Sequence, residues 1–255
     1  MNFGARCRQV GAGATLVMAA AWAAAQEPVA LRRPFELPPS ADLSYTLEAK
    51  QKGFSFGGSG TVAWRAAGGK YSVAGAWKAS FLGKILENRS EGALDAYGLA
   101  PTRFFEKRFR KESTAANFDR AARIIGFDGD NTTYSILGGE QDRSSVQWQL
   151  AAIGRASPDK FVRGSEWKFF VVGRRDAEVW TFKVLNRESI KTAIGSMQTV
   201  HLVKTSQADS TAQRVDLWLA PAHEWYPVKL RISEDEGDYI EQTITRIDKR
   251  GQIAR

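Results

Sequence analysis

Two histidines, His201 and His223, are the only imidazoles in a chain of 255 residues. General acid–base chemistry near neutral pH falls most often to histidine, so they come first. His201 sits within Thr199–Lys204 and has no carboxylate within three residues, which suits a histidine packed in a strand. His223 and Glu224 lie between Pro221 and Pro227 and read as a loop. Two histidines this far apart, without an acidic cluster at ligand spacing, do not compose a zinc site. No metal and no cofactor is expected. The serines carry no Gly-x-Ser-x-Gly elbow. Gly58-Ser59-Gly60 reads as a hairpin turn, where glycine supplies positive φ, and the glycines from Gly57 lack the Lys-Ser/Thr ending of a phosphate loop. Among the acids, Glu87, Glu91 and Glu106 are the candidates for glycoside-type chemistry. Glu87 and Glu91 on one strand face stand about 13 Å apart, too far for a catalytic carboxylate pair. They are expected to face arginine or lysine across strands instead. No catalytic residue emerges, and the chain reads as non-enzymatic.

Binding chemistry has two candidates. The run Arg103-Phe-Phe-Glu-Lys-Arg-Phe-Arg-Lys111 is the densest mixture of cations and aromatics. Arg103, Lys107, Arg108, Arg110 and Lys111 are its candidate contacts to an anionic lipid or glycan surface. Single-stranded nucleic acid also uses such mixtures, but the run does not match the ribonucleoprotein signature. The plainer alternative is a strand whose long cations cover apolar surface and pair with Glu87 or Glu91. The second candidate is the tryptophan content, eight residues in all. Trp64, Trp77, Trp148, Trp167 and Trp180 are the candidates for lining an apolar cavity, while an ordinary core would use the same residues. Trp218 and Trp225 complete the set beyond the N-terminal segment.

The elements that position these residues follow from the periodicity. Leu43, Tyr45, Leu47 and Ala49 alternate with polar neighbours, and Tyr71, Val73, Gly75 and Trp77 repeat the period of two. Glycine pairs between such runs predict antiparallel hairpins. Ile85 to Glu91, Arg103 to Lys111, Arg120 to Phe127 and Thr132 to Leu137 are further strand candidates. Near Asp142 the texture changes. Asp142 or Ser144 is suited to cap a helix, and Val146, Leu150 and Ile153 recur at helical spacing, with Trp148 off that line. One helix is expected near Ser144–Arg155, leaving at Pro158. Strands resume at 167–173, 177–186, 196–206, 213–219, 226–233 and 239–247. Ten to twelve strands and one main helix predict an α+β protein: a large curved antiparallel sheet, half-barrel-like, with the helix packed on its concave face.

The first residues have a different character. Arg6 and Arg8 precede an apolar stretch, Val10–Trp22, and Ala23-Ala24-Ala25 follows it. This is the layout of a cleavable secretory signal, with an apolar core too short to span a bilayer. Residues 1–25 are therefore expected to be removed, leaving a proline-rich lead-in over 26–42 and a single β-rich domain over 43–250. The expected location is the periplasm. Cleavage would take with it the only cysteine, Cys7, and two of the cations behind the net charge of +8. The mature chain would then form no disulfide, and export makes nucleic acid an improbable partner.

Trp218-Leu219-Ala220-Pro221 followed by Trp225-Tyr226-Pro227-Val228-Lys229-Leu230 resembles an uncharacterised envelope family, the domain of unknown function 3108. Leu99-Ala100-Pro101 with the basic strand after it, and the helix opening at Asp142–Leu150, fit the same family. The resemblance spans Leu43 to Ile247. It implies no activity, and no functional residues transfer with it. Its general shape resembles the curved half-barrel of lipoprotein carriers. The implied partners are a lipid or lipoprotein anchor held by the curved sheet, or else an envelope protein that uses this chain as a scaffold.

Overall fold

The computed structural model describes residues 31–205, 213–234 and 237–250. The expected signal segment lies outside the described residues. Fifteen strands join in one sheet: β1 (Ala41–Gln51), β2 (Phe54–Ala67), β3 (Lys70–Ala79), β4 (Gly83–Asp95), β5 (Gly98–Arg108), β6 (Thr114–Asp119), β7 (Ile124–Phe127), β8 (Asp130–Ser135), β9 (Gln141–Asp142), β10 (Glu166–Val172), β11 (Ala177–Thr192), β12 (Gly195–Thr205), β13 (Arg214–Ala220), β14 (Tyr226–Ser233) and β15 (Tyr239–Lys249). Their order is β8-β7-β6-β5-β4-β3-β2-β1-β15-β14-β13-β12-β11-β10-β9. Every neighbouring pair is antiparallel except β9 with β10. The pairing of β1 with β15 places the first and last strands at the middle of the sheet, so both free edges come from the middle of the sequence.

A sheet of this width curls, because each strand is rotated against its neighbour. The two arms approach one another. Phe104 of β5, Phe118 of β6 and Ile125 of β7 share a buried cluster with Phe170 and Val172 of β10. The edges are blunted, one by the shortness of β9 and the other by the polar residues Asp130–Thr133 on β8.

Local differences from the sequence expectations have local causes. The first hairpin turns at Lys52 and Gly53, with φ of 51° and 81°, and not at Gly57–Gly60. Those glycines lie inside β2. The Trp77 ring lies across Gly60 and Gly75: a Cβ at Gly60 would stand 2.6 Å from Trp77 Cδ1. Glycine is needed there for close approach, not for turning the chain. Gly60→Val is expected to cost about 1–3 kcal/mol through overpacking, measurable by urea unfolding. The candidate strand Arg120–Phe127 forms only in its second half. Asp119 Oδ1 accepts the Ala122 N–H at 2.8 Å and bends the chain, so β7 begins only at Ile124 and β6 precedes the turn. The strand β6, which the periodicity does not mark, and the two-residue β9 account for part of the excess over ten to twelve strands.

One α-helix occurs among the described residues, α1 (Val146–Ala156), one to two residues from its expected bounds. Val146, Leu150 and Ile153 pack with Trp167, Phe182, Leu217 and Leu219. Trp148, off that line, belongs to a second cluster with Trp64, Leu99 and Tyr226. The helix is therefore buried on more than one face, against strands from both halves of the sheet. The proline-rich lead-in lies along it. The Glu36 N–H donates to Ala152 O at 2.9 Å, Phe35 joins the first cluster and Leu37 the second. Pro38 and Pro39 have no N–H of their own, but their carbonyls accept from Trp64 Nε1 at 2.9 Å and from the Tyr226 hydroxyl at 2.8 Å.

Candidate functional site

Three groupings of polar side chains have chemistry worth weighing. The first surrounds Asp142. Its Oδ1 accepts the backbone N–H groups of Ser144 and Ser145 at 2.8 and 2.9 Å, and its Oδ2 accepts the Ser90 hydroxyl at 2.5 Å. The single Ser90 proton is thereby used. Tyr71, 3.0 Å from Ser90 Oγ, must donate to it, giving a directed chain Tyr71→Ser90→Asp142. Burial pushes the Asp142 carboxyl up to about 6, and the bonds from Ser90, Ser144 and Ser145 pull against that rise. Burial and the Asp142 charge push the Tyr71 phenol well above its ordinary value. The three residues resemble a catalytic relay, yet Ser90 and Asp142 are wholly buried and Tyr71 nearly so. No substrate atom reaches them in this conformation. The arrangement fastens the start of α1 to β3 and β4 by satisfying backbone donors at the helix entrance.

The second grouping is one that sequence separation hid. His201 Nε2 stands 2.8 Å from Asp216 Oδ1, and His201 Nδ1 stands 3.2 Å from Glu188 Oε1. The ring stacks on Trp218 with centroids 4.2 Å apart, and Trp218 Nε1 donates to Glu188 at 2.5 Å. Strand register makes this array: His201 pairs with Trp218, and Glu188 lies on the neighbouring strand. Burial opposes ionisation of Asp216, but hydrogen bonds from Arg214 and His201 outweigh it and lower the carboxyl to about 2. The two carboxylates meet opposite edges of the ring and do not converge on one point. No cluster able to hold a metal occurs among the described residues.

The candidate tryptophans divide between two clusters. Trp64 and Trp148 stack at 4.4 Å and 7°, fully buried, in the same cluster that Trp77 joins. Trp77 is half-buried, with Nε1 donating to Gln242 Oε1 at 2.7 Å. Trp167 and Trp180 belong to the other cluster. Trp167 stacks on Phe161 at 4.4 Å, and Trp180 sits under Lys204 Nζ at 4.5 Å.

The third grouping lies at one end of the sheet. Antiparallel pairing sends the β1–β2, β3–β4, β5–β6 and β14–β15 turns to the same end. There a cleft of about 690 Å³ is lined by Phe54, Phe56 and Phe81, with Lys52, Glu234 and Asp238 at its polar side. Phe56 and Phe81 meet edge to face at 5.8 Å. Asp238 accepts the Lys52 N–H at 2.9 Å, tying the acidic β14–β15 turn to the β1–β2 turn. Phe54 is 77% exposed and Phe81 68%, unusual for aromatic side chains on a soluble surface.

The basic strand ends on this rim. Arg103 faces Asp128 at 3.6 Å and Arg108 pairs with Glu106 at 2.6 Å. Lys107 and Lys111 are exposed, and Arg110 lies over the Phe109 ring at 4.9 Å. Glu87 and Glu91 pair along their own strand, with Lys84 at 2.7 Å and Arg89 at 2.9 Å. The sequence points to the basic residues of the rim and to Phe109 among them, but not to Phe54, Phe56 and Phe81. Phe54 and Phe81 follow or precede a turn residue in otherwise polar tips, which is the signal available for them.

The architecture is a large, open, curved, mostly antiparallel sheet with one helix, a β-barrel-like class. The chain belongs to the family described as "Protein of unknown function (DUF3108)", whose model matches residues 42–245. No curated protein matches it in sequence. Among solved structures it is similar to a beta-barrel-like protein of the domain of unknown function DUF1849 from Brucella abortus. That match has 11% identity, covers 85% of this chain and 100% of the other, and has a TM-score of 0.58. The lipoprotein LppX from Mycobacterium tuberculosis aligns at 12% identity over 86% of this chain and 90% of its own, with a TM-score of 0.29. A DUF1329 family protein from Desulfovibrio piger aligns at 7% over 85% and 88%, with a TM-score of 0.28.

Proposed function

We propose that this chain is a non-enzymatic cell-envelope protein that binds an acyl chain, exported to the periplasm by a signal ending at Ala25. In this reading residues 43–250 act as one domain, and α1 occupies the concave face of the curved sheet. The acyl site is the rim cleft beside Phe54, Phe56 and Phe81. The observation that carries the reading is that cleft: its volume falls within the roughly 300–1,000 Å³ of small-molecule sites, and Phe54, Phe56 and Phe81 give it one apolar side. An interior site lined by Trp64 and Trp148 would require their stack to part, whereas the rim cleft needs no such opening. Palmitate is expected to be retained by the protein in native mass spectrometry. Phe56→Ala is expected to weaken that binding about tenfold, because Phe56 forms a wall of the cleft. Absence of any palmitate adduct would overturn the acyl reading.

A second reading, an envelope scaffold with a solid core, draws on the packing of α1 among two aromatic clusters. It predicts a protein partner recovered by crosslinking in cells and no acyl adduct.

A further inference from the structure

The rim has a property that an acyl cleft alone does not require. Three consecutive turns of the sheet carry exposed apolar side chains at the same end: Phe54 on the first, Phe81 and Leu82 on the second, and Phe109 on the third. The tips stand side by side in strand order. Ser80 N–H donates to Gly57 O at 3.0 Å, joining the second tip to β2, and Phe109 N–H donates to Ile85 O at 2.8 Å, joining the third to β4. Cations flank each apolar group. Residues 50–54, 78–84 and 107–112 contain eight lysines and arginines and a single acid, Glu112. Lys50, Lys52, Lys78, Lys107 and Lys111 are exposed. Lys84 is paired with Glu87 and Arg108 with Glu106, and Glu234 and Asp238 of the β14–β15 turn line the cleft beside Lys52, so the excess of cations on the three tips rests on Lys50, Lys52, Lys78, Lys107, Arg110 and Lys111.

Aromatic and aliphatic tips surrounded by lysine and arginine match the two layers of an anionic bilayer surface. The rings reach the boundary of the acyl region, while the cations stay among the phosphates. We infer that the β1–β2, β3–β4 and β5–β6 tips form a docking surface for anionic membranes, with Phe54, Phe81, Leu82 and Phe109 inserting and the surrounding lysines and arginines holding the headgroups. This docking does not depend on whether the cleft also holds an acyl chain.

The test is cosedimentation of the exported protein, its N-terminus checked by mass, with vesicles of phosphatidylcholine alone or mixed with phosphatidylglycerol. Binding to the anionic vesicles should exceed binding to the neutral ones at least tenfold and should fall as salt is raised. Leu82→Ser with Phe109→Ser, two residues outside the cleft, should reduce it about tenfold, as should Arg110→Glu with Lys111→Glu. Both pairs should leave palmitate binding unchanged, whereas Phe56→Ala should show the reverse pattern. Ile194→Ser removes an exposed apolar side chain from a turn at the opposite end and should change neither. Equal binding to both vesicle types, or full binding by the rim variants, would overturn the proposal. So would a dimer in sedimentation that the Leu82/Phe109 pair dissociates while vesicles are not bound, since the rim would then be a contact between copies.

Discussion

Trp148→Ala lowers the stability of the fold by about 3–5 kcal/mol, the range for truncating a large buried aromatic. Trp148 is completely buried, stacked on Trp64 and edge-on to Tyr226 at 6.1 Å. It joins the helix to β2 and β14, elements far apart in sequence. Truncation leaves a cavity that neither the sheet nor the lead-in can close, because Pro38 and Pro39 are held by Trp64 and Tyr226, the same two partners. Trp148→Phe is the informative companion. The Trp148 Nε1 atom finds no acceptor among the described residues, so phenylalanine gives up no hydrogen bond and forfeits only part of the area. Its expected cost is below about 1.5 kcal/mol. Urea unfolding of both variants measures the difference. Equal losses would show that packing area is not what holds the helix in place.

Asp142→Ala comes next, at about 3 kcal/mol or more. It leaves the buried donors of Ser90, Ser144 and Ser145 without their acceptor, and each such group costs roughly 1–3 kcal/mol, partly offset by removal of a buried charge. Asp142→Asn keeps an acceptor for the two backbone N–H groups and has no charge to bury. The pH dependence follows from the direction of the shift. The folded carboxyl titrates at about 6, above its ordinary value of 3.8, so the folded state binds the proton more tightly than the unfolded one. Stability from this group is fully present below pH 3.8 and is lost as the pH rises through about 6. The difference amounts to about 3 kcal/mol. Wild type minus Asp142→Asn isolates it, since other groups cancel. That difference should fall between pH 4 and pH 6 and then level. A flat difference across the interval would mean that the carboxyl is not buried as described. Asp216 acts in the opposite direction at lower pH: its depressed carboxyl supplies stability that disappears as the pH falls from about 4 toward about 2.

Much of the architecture was legible because it is written in short-range patterns. Alternation at Leu43–Ala49 does define β1, and each of those odd-numbered residues is buried. The helix was legible from Val146, Leu150 and Ile153, but its N-cap is Ser145 and neither Asp142 nor Ser144; Asp142 instead binds the N–H groups of Ser144 and Ser145 just ahead of it. The Trp-Leu-Ala-Pro and Trp-Tyr-Pro-Val-Lys-Leu segments pointed to the right family. Turn positions were less legible. Glycines mark both turns and close contacts, and only the position of the Trp77 ring tells Gly60 from Gly53.

The sequence by itself determined the strand-rich composition, the placing of the single helix and the family. These depend on the period of two, the period of 3.6 and on residues adjacent in the chain. Only the tertiary structure decided which distant side chains meet. Strand register brings Glu188, His201 and Asp216 together and sets Tyr71 beside Ser90, while the curl of the sheet carries Asp142 of β9, at the opposite edge, to Ser90. A shift of one residue in any of those ladders would send the side chains to the opposite face. The rim belongs to the same category. Phe54, Phe81 and Phe109 lie far apart in the linear chain, and it is the antiparallel order of β1 to β6 that brings them, with the lysines and arginines beside them, to one end of the sheet.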